Sequence, residues 1–166
     1  MSRHAPRDYR GFEWFLMPGD TWFGDGPARV RTLLGSCVAV TLWHPRRHCG
    51  GICHFLLPTR RGGRAADVPL DGRYGDEAIE LLLREVSGNG TRAAQYQVKL
   101  FGGGRMYDTH TQVGTGNVAQ ARRLVETHGL TLSACHTGGD GHRNLIFDLD
   151  TGHVWLRHQP QERARS

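Results

Sequence analysis

No stretch of this chain approaches the roughly 20 consecutive apolar residues that a membrane-spanning helix needs, so insertion into a bilayer is not expected. The first ten residues, Met1 to Arg10, are polar and carry no apolar leader segment, and they read as a mobile arm. The expected compartment is therefore the reducing cytosol. There the 4 cysteines, Cys37, Cys49, Cys53 and Cys135, are expected as thiols, thiolates or metal ligands rather than disulfides. No internal repeat and no linker divides the sequence. A single domain spanning 1–166 follows, with a core over about 12–157 and polar terminal arms. A long basic run is also missing. The net charge is +5, but it is dispersed, and its densest groups are Arg60-Arg61 with Arg64 and the tail residues Arg157, Arg163 and Arg165. Aromatics do not alternate with these arginines as they do in single-strand binders, which argues against nucleic acid as a partner and leaves an acidic protein open.

Hydrophobic residues at 38 % and charged residues at 22 % are enough for one folded core. The 23 glycines cluster in short groups, which predicts many tight turns and a sheet-rich fold. Gly11 to Gly26 is an aromatic, turn-rich opening. Strands are expected at Ala28–Leu34, Cys37–Trp43, Gly50–Leu57, Gln97–Phe101, Thr131–His136, Asn144–Leu149 and His153–Arg157. A helix is expected over Asp76–Ser87, where Ile79, Leu82, Leu83 and Val86 share a face, with Asp76 capping its start and Gly88 its end. A second is expected from about Val118 to His128, with Asn117 and Gln120 as a capping box and Gly129 as its stop. Thr59–Asp71 reads as a surface loop and 159–166 as a polar tail. Mostly strands with two helices inserted is an α+β pattern.

Chemistry concentrates at Cys37 and His54. Gly35-Ser36 precedes the thiol, and glycine there allows a sharp turn and a close approach of another segment. Backbone N–H groups at such a turn can face a developing oxyanion. A cysteine needs a base near neutral pH. If Cys37–Trp43 and Arg47–Leu57 form a hairpin closed at Pro45-Arg46, the register sets Cys37 opposite His54 on one face. A loop of four or six residues preserves that parity, whereas a one-residue slip reverses it.

Two other site chemistries are legible. Cys49-x3-Cys53-His54, with His48, Cys135 and His136, offers zinc-type ligands at unusual spacing. Gly102-Gly103-Gly104-Arg105 offers a fragment of a phosphate-binding loop, but it lacks the full Gly-x4-Gly-Lys-Ser/Thr pattern and reads better as a turn that ends a strand.

Several ordered motifs carry a family resemblance. Thr32-Leu33-Leu34-Gly35-Ser36-Cys37-Val38-Ala39-Val40, Gly50-Gly51 and His54-Phe55-Leu56-Leu57-Pro58 resemble the CheD family. So do Lys99 to Met106, Val113 to Asn117, Thr137-Gly138-Gly139 with Arg143, and Thr151-Gly152 to Arg157. The resemblance implies an α+β fold with a β-sandwich-like core of mixed strands and flanking helices, similar to the catalytic domain of cytotoxic necrotizing factor. It implies hydrolytic deamidation of glutamine side chains to glutamate in methyl-accepting chemoreceptors, through a Cys thioester, with glutamyl methylesterase as a side activity. Cys37 matches the family nucleophile and His54 the family histidine, with Gly35 and Ser36 at the oxyanion turn. The supporting threonine of the family stands six residues before the cysteine. That position is Arg31 here, and Thr32 stands five before, so the role falls to Thr32 or to a residue elsewhere in the fold. No metal or organic cofactor is implied. The implied partners are chemoreceptor cytoplasmic domains and a CheC-type phosphatase. The alternative is a non-catalytic adaptor that binds receptors or that phosphatase.

Overall fold

A computed structural model describes residue 5, residues 8–106 and residues 112–160. Nine strands and two helices appear in the order β1 (Phe12–Phe15), β2 (Thr21–Asp25), β3 (Ala28–Leu34), β4 (Val38–His44), β5 (Cys49–Phe55), α1 (Gly75–Gly88), β6 (Gln97–Gly102), α2 (Val113–Thr127), β7 (Thr131–Thr137), β8 (His142–Asp148) and β9 (Val154–Gln159) among the described residues. A single 3₁₀ turn, Ala93–Gln95, leads into β6. The strands form two mixed sheets, one in the order β1-β3-β8-β9 and one in the order β2-β5-β4-β6-β7. The expected α+β class with a mixed-strand sandwich is what the chain adopts.

The sheets and helices make three layers. Ala28, Val30 and Leu34 of β3, with Leu145 and Phe147 of β8, pack against Ala39, Ile52 and Phe101 of the five-stranded sheet. The other face of that sheet presents Val38, Val40, Leu42, Cys53, Phe55, Val98 and Leu100 to Ile79, Leu82 and Val86 of α1 and Ala121, Leu124 and Val125 of α2. Strands β4 and β5 are thus covered on both faces, which is why they read as near-continuous apolar runs rather than alternating ones. No helix among the described residues is long and apolar enough to cross a membrane.

Several local expectations change. The aromatic opening contains two strands, because β1 is an exposed edge paired in parallel with β3 and so lacks a buried alternation to read. Asp76 is not the cap of α1. Tyr74 occupies that position, and Asp76 in the first turn accepts a hydrogen bond from Thr59 instead. Asn89, not Gly88, closes the helix. Helix α2 starts five residues before Val118, so Asn117 lies inside it and forms no capping box. Gln159 belongs to β9. Of the expected N-terminal arm, residues 1–4 and 6–7 lie outside the described residues, and Tyr9 stacks over Arg29 with 3.9 Å between guanidinium carbon and ring centre. Residues 161–166, including Arg163 and Arg165, also lie outside the described residues.

Candidate active site

The β4–β5 hairpin differs from the expected register by two residues. Its loop is Pro45–His48, not Pro45-Arg46, so His44 pairs with Cys49 and His54 with Ala39. The cause is local. The His44 imidazole Nδ1 accepts the backbone N–H of both Arg46 and Arg47 at 3.2 Å, and His48 takes φ 51° to send its own N–H back to the His44 carbonyl. Cys37 therefore does not face His54 directly. It lies just before β4, diagonal to His54, and keeps the same side of the sheet because four loop residues preserve parity. That side faces the four-stranded sheet, where Cys37 packs beside the inter-sheet core.

From the opposite sheet comes Thr32, an inward residue of β3 that is 2 % exposed. Its Oγ1 lies 2.7 Å from Nδ1 of His54, across the sandwich. The same hydroxyl donates to the Leu16 carbonyl at 2.8 Å. A hydroxyl has one hydrogen, so toward His54 it must accept. His54 therefore carries its proton on Nδ1, and Nε2 keeps a free lone pair. The backbone of His54 is pinned as well, accepting from Gly19 N–H at 2.8 Å and donating to the Asp20 carbonyl at 3.2 Å.

Nε2 of His54 is buried and has no hydrogen-bond partner among the described residues. Burial pulls the imidazole down to about 4, against the opposing pull of the Asp20 carboxylate. Burial also pushes the Cys37 thiol up, offset in part by its own backbone N–H against the sulfur. At neutral pH the resting pair is a thiol and a neutral imidazole rather than a thiolate and an imidazolium. A thiol and a neutral imidazole suit general-base attack, in which the proton moves as the sulfur bonds.

The turn that carries Cys37 is stapled to the glycine triplet at the end of β6. Gly103 N–H donates to the Cys37 carbonyl at 2.8 Å, and Gly104 N–H to the Gly35 carbonyl at 2.9 Å. Backbone comes this close because side chains are missing there. A Cβ on Gly102, at φ 108°, would lie 2.2 Å from the Cys37 oxygen. The donors of Gly103 and Gly104 are thus consumed within the protein, which supports the strand-ending turn over a phosphate cradle. The chain bends at Gly35-Ser36 as expected, with Gly35 outside the left-handed region. Its missing side chain also leaves room for Met106, whose sulfur would stand 3.3 Å from a Cβ.

The zinc-type residues are not gathered. Cys49 lies 3.6 Å from the Tyr96 hydroxyl, Cys53 is buried on the helix side of the sheet with its thiol pushed up to about 12 by burial, and Cys135 is exposed. No group of three or more His, Cys, Asp or Glu side chains able to hold a metal ion occurs among the described residues.

Two residues beside the site escaped assignment from sequence. Asn117 is 0 % exposed, and its Nδ2 donates to the Ser36 carbonyl at 3.0 Å and the Leu56 carbonyl at 2.9 Å. Arg143 is 1 % exposed on β8, where its Nε donates to His136 Nδ1 at 2.9 Å and its Nη1 would lie 3.4 Å from a Cβ on Gly104. Both stand in motifs that carry the family resemblance, yet a polar residue in or near a glycine-rich segment reads as a cap or a turn until the packing is known. His54 Nε2, Asn117 Oδ1 and Arg143 Nη1 are three of the five buried polar side-chain atoms without a hydrogen-bond partner among the described residues. Orphaned buried atoms are rare, and Asn117 and Arg143 carry theirs beside the Cys37 turn and the glycine triplet stapled to it.

Residues 56–158 match the family described as CheD chemotactic sensory transduction. A protein of Pseudomonas savastanoi pv. phaseolicola named "Probable chemoreceptor glutamine deamidase CheD" is 54% identical over 156 residues, covering 90% of this chain and 86% of the relative. A relative from Dechloromonas aromatica, named "Probable chemoreceptor glutamine deamidase CheD 3", is 47% identical, covering 87% of this chain and 86% of its own length. Another from Leptospira interrogans, named "Probable chemoreceptor glutamine deamidase CheD 1", is 34% identical, covering 86% and 90%. With an inward Thr–His pair beside a glycine-stapled cysteine, and with similarity along most of its length, this chain belongs to the CheD family.

Proposed function

We propose that this chain hydrolyses the side-chain amide of specific glutamines in the cytoplasmic domains of bacterial chemoreceptors, with Cys37 as nucleophile, His54 as base and Thr32 holding the imidazole. The observation that carries the reading is the Thr32–His54 hydrogen bond, which leaves the lone pair of Nε2 free on the side of the sheet that Cys37 occupies. His54 Nε2 takes the thiol proton as the Cys37 sulfur bonds to the amide carbon. The carbonyl electrons move to oxygen, and backbone N–H groups of the Ser36-Cys37 turn meet the oxyanion. The imidazolium then gives its proton to the leaving nitrogen as the C–N bond breaks, which releases ammonia and leaves a thioester. Water, losing a proton to neutral His54, attacks the thioester. Collapse returns that proton to the sulfur and frees glutamate. The same steps accept a glutamyl methyl ester, with methanol as the leaving molecule.

The test is ammonia release and mass spectrometry on a purified chemoreceptor cytoplasmic fragment. Wild type converts particular glutamines to glutamate, and Cys37→Ala converts none. Full activity in Cys37→Ala would refute the assignment. We also propose a CheC-type phosphatase as a binding partner. A Cys37→Ala variant that keeps its whole biological effect while capturing receptor or phosphatase would favour the adaptor role instead.

A further inference from the structure

We infer that Asn117 is a positioning residue for the Cys37 turn, and that it aims the Cys37 backbone N–H at the oxyanion of the tetrahedral intermediate. The inference rests on Cys37 being the nucleophile proposed above. A carboxamide nitrogen carries two hydrogens, and Asn117 places one on the Ser36 carbonyl and one on the Leu56 carbonyl. The opposite orientation of the amide would set its oxygen against two carbonyl oxygens, so the fork itself fixes which atom faces the turn. Ser36 precedes the nucleophile and Leu56 follows His54 by two residues, so one side chain ties both halves of the site together.

The geometry has a directional consequence. Across a planar trans peptide, the carbonyl of one residue and the N–H of the next point in opposite directions. Holding the Ser36 C=O against Asn117 therefore turns the Cys37 N–H away from helix α2. The sulfur is on that same residue. An atom bonded to the sulfur would have its oxygen near this donor, where oxyanion stabilisation requires one.

Helix α2 brings Asn117 there through glycine contacts. A Cβ on Gly103 would lie 2.2 Å from Val118 Cγ2, and a Cβ on Gly114 would lie 2.6 Å from the Gly103 carbonyl oxygen. The first turn of the helix can thus sit on the Gly102–Gly104 turn, and Asn117 projects onto the neighbouring Cys37 turn. Burial at 0 % keeps Asn117 from touching substrate, so its effect passes through Ser36 and Cys37.

The test compares two reactions at the same sulfur. p-Nitrophenyl acetate acylates Cys37 through a tetrahedral oxyanion. Iodoacetamide alkylates it by direct displacement, with no oxyanion. Both rates are read by mass spectrometry of the Cys37 peptide over a pH series, for wild type, Asn117→Ala and the isosteric Asn117→Asp. We expect acylation to fall about ten- to a hundredfold in the variants, while alkylation and its pH profile stay within about threefold. If both rates fall together, or neither changes, Asn117 is only structural and the inference fails. Should Asn117→Asp not fold, Asn117→Ser carries the same comparison with one donor retained. No receptor is involved, so a failure here leaves receptor deamidation untouched, and a failure of receptor deamidation leaves this ratio readable.

Discussion

Thr32→Val tests the site at its least conventional contact. The two side chains are close in shape, so the substitution removes the hydroxyl and little else. Two partners lose it: the N–H on Nδ1 of His54, 2.7 Å away, and the Leu16 carbonyl, 2.8 Å away. Both lie in the dry space between the sheets, where an unsatisfied polar group costs about 1–3 kcal/mol. His54 can escape part of that cost by moving its proton to Nε2, which leaves Nδ1 bare. The bias toward the productive tautomer then weakens by a similar 1–3 kcal/mol, equivalent to about five- to 150-fold in the ratio of the two tautomers. Deamidation of a receptor fragment is expected to lose kcat by up to that factor with little change in KM. Thr32→Ser restores the acceptor and is expected to recover most of the rate. Nitrogen chemical shifts of His54 report the tautomer directly. Wild-type kcat in Thr32→Val, with the Nδ1 proton still in place, would refute the orienting role.

Two further outcomes follow from the same structure. His54 titrates near 4 in the fold against 6.5 ordinarily, so the unfolded chain takes the proton first as pH falls. Stability is whole above about pH 6.5 and drops progressively toward pH 4, by up to about 3 kcal/mol from this group. Denaturant unfolding across that window should show the drop, and His54→Gln should flatten it. An equal slope in the variant would mean that other groups carry the acid sensitivity. In the 59–71 loop, Arg60 binds both carboxylate oxygens of buried Glu77, at 3.1 and 2.8 Å, and stacks over Tyr74. Arg60→Ser is therefore expected to lower the melting temperature while exposed Arg61→Ser leaves it unchanged; equal melting temperatures would show that the pair is not structural. A docking role for this loop is better probed at Arg61 than at Arg60.

The fold class and most strand positions were legible because burial writes itself into alternation and apolar runs. β3 begins and ends at Ala28 and Leu34 as its pattern indicates. Exposed β1 has no buried face and left no comparable trace. The pairing of Cys37 with His54 on one face was readable as a matter of parity, but the register was not. The turn depended on a side chain, His44, folding back on the backbone of its own loop.

Sequence alone determined that a cysteine behind Gly-Ser and a histidine in the next strand share one side of a sheet, because a period of two survives any even loop. It also held the motifs that mark the family. Only the tertiary structure decided that Thr32 is the partner of His54, since that contact joins two sheets that the chain order does not pair. The same holds for Asn117, whose place inside α2 and over the nucleophile turn depends on glycine packing between segments far apart in the chain. Local pattern reports which face a residue takes; what lies opposite that face is set by how the layers stack.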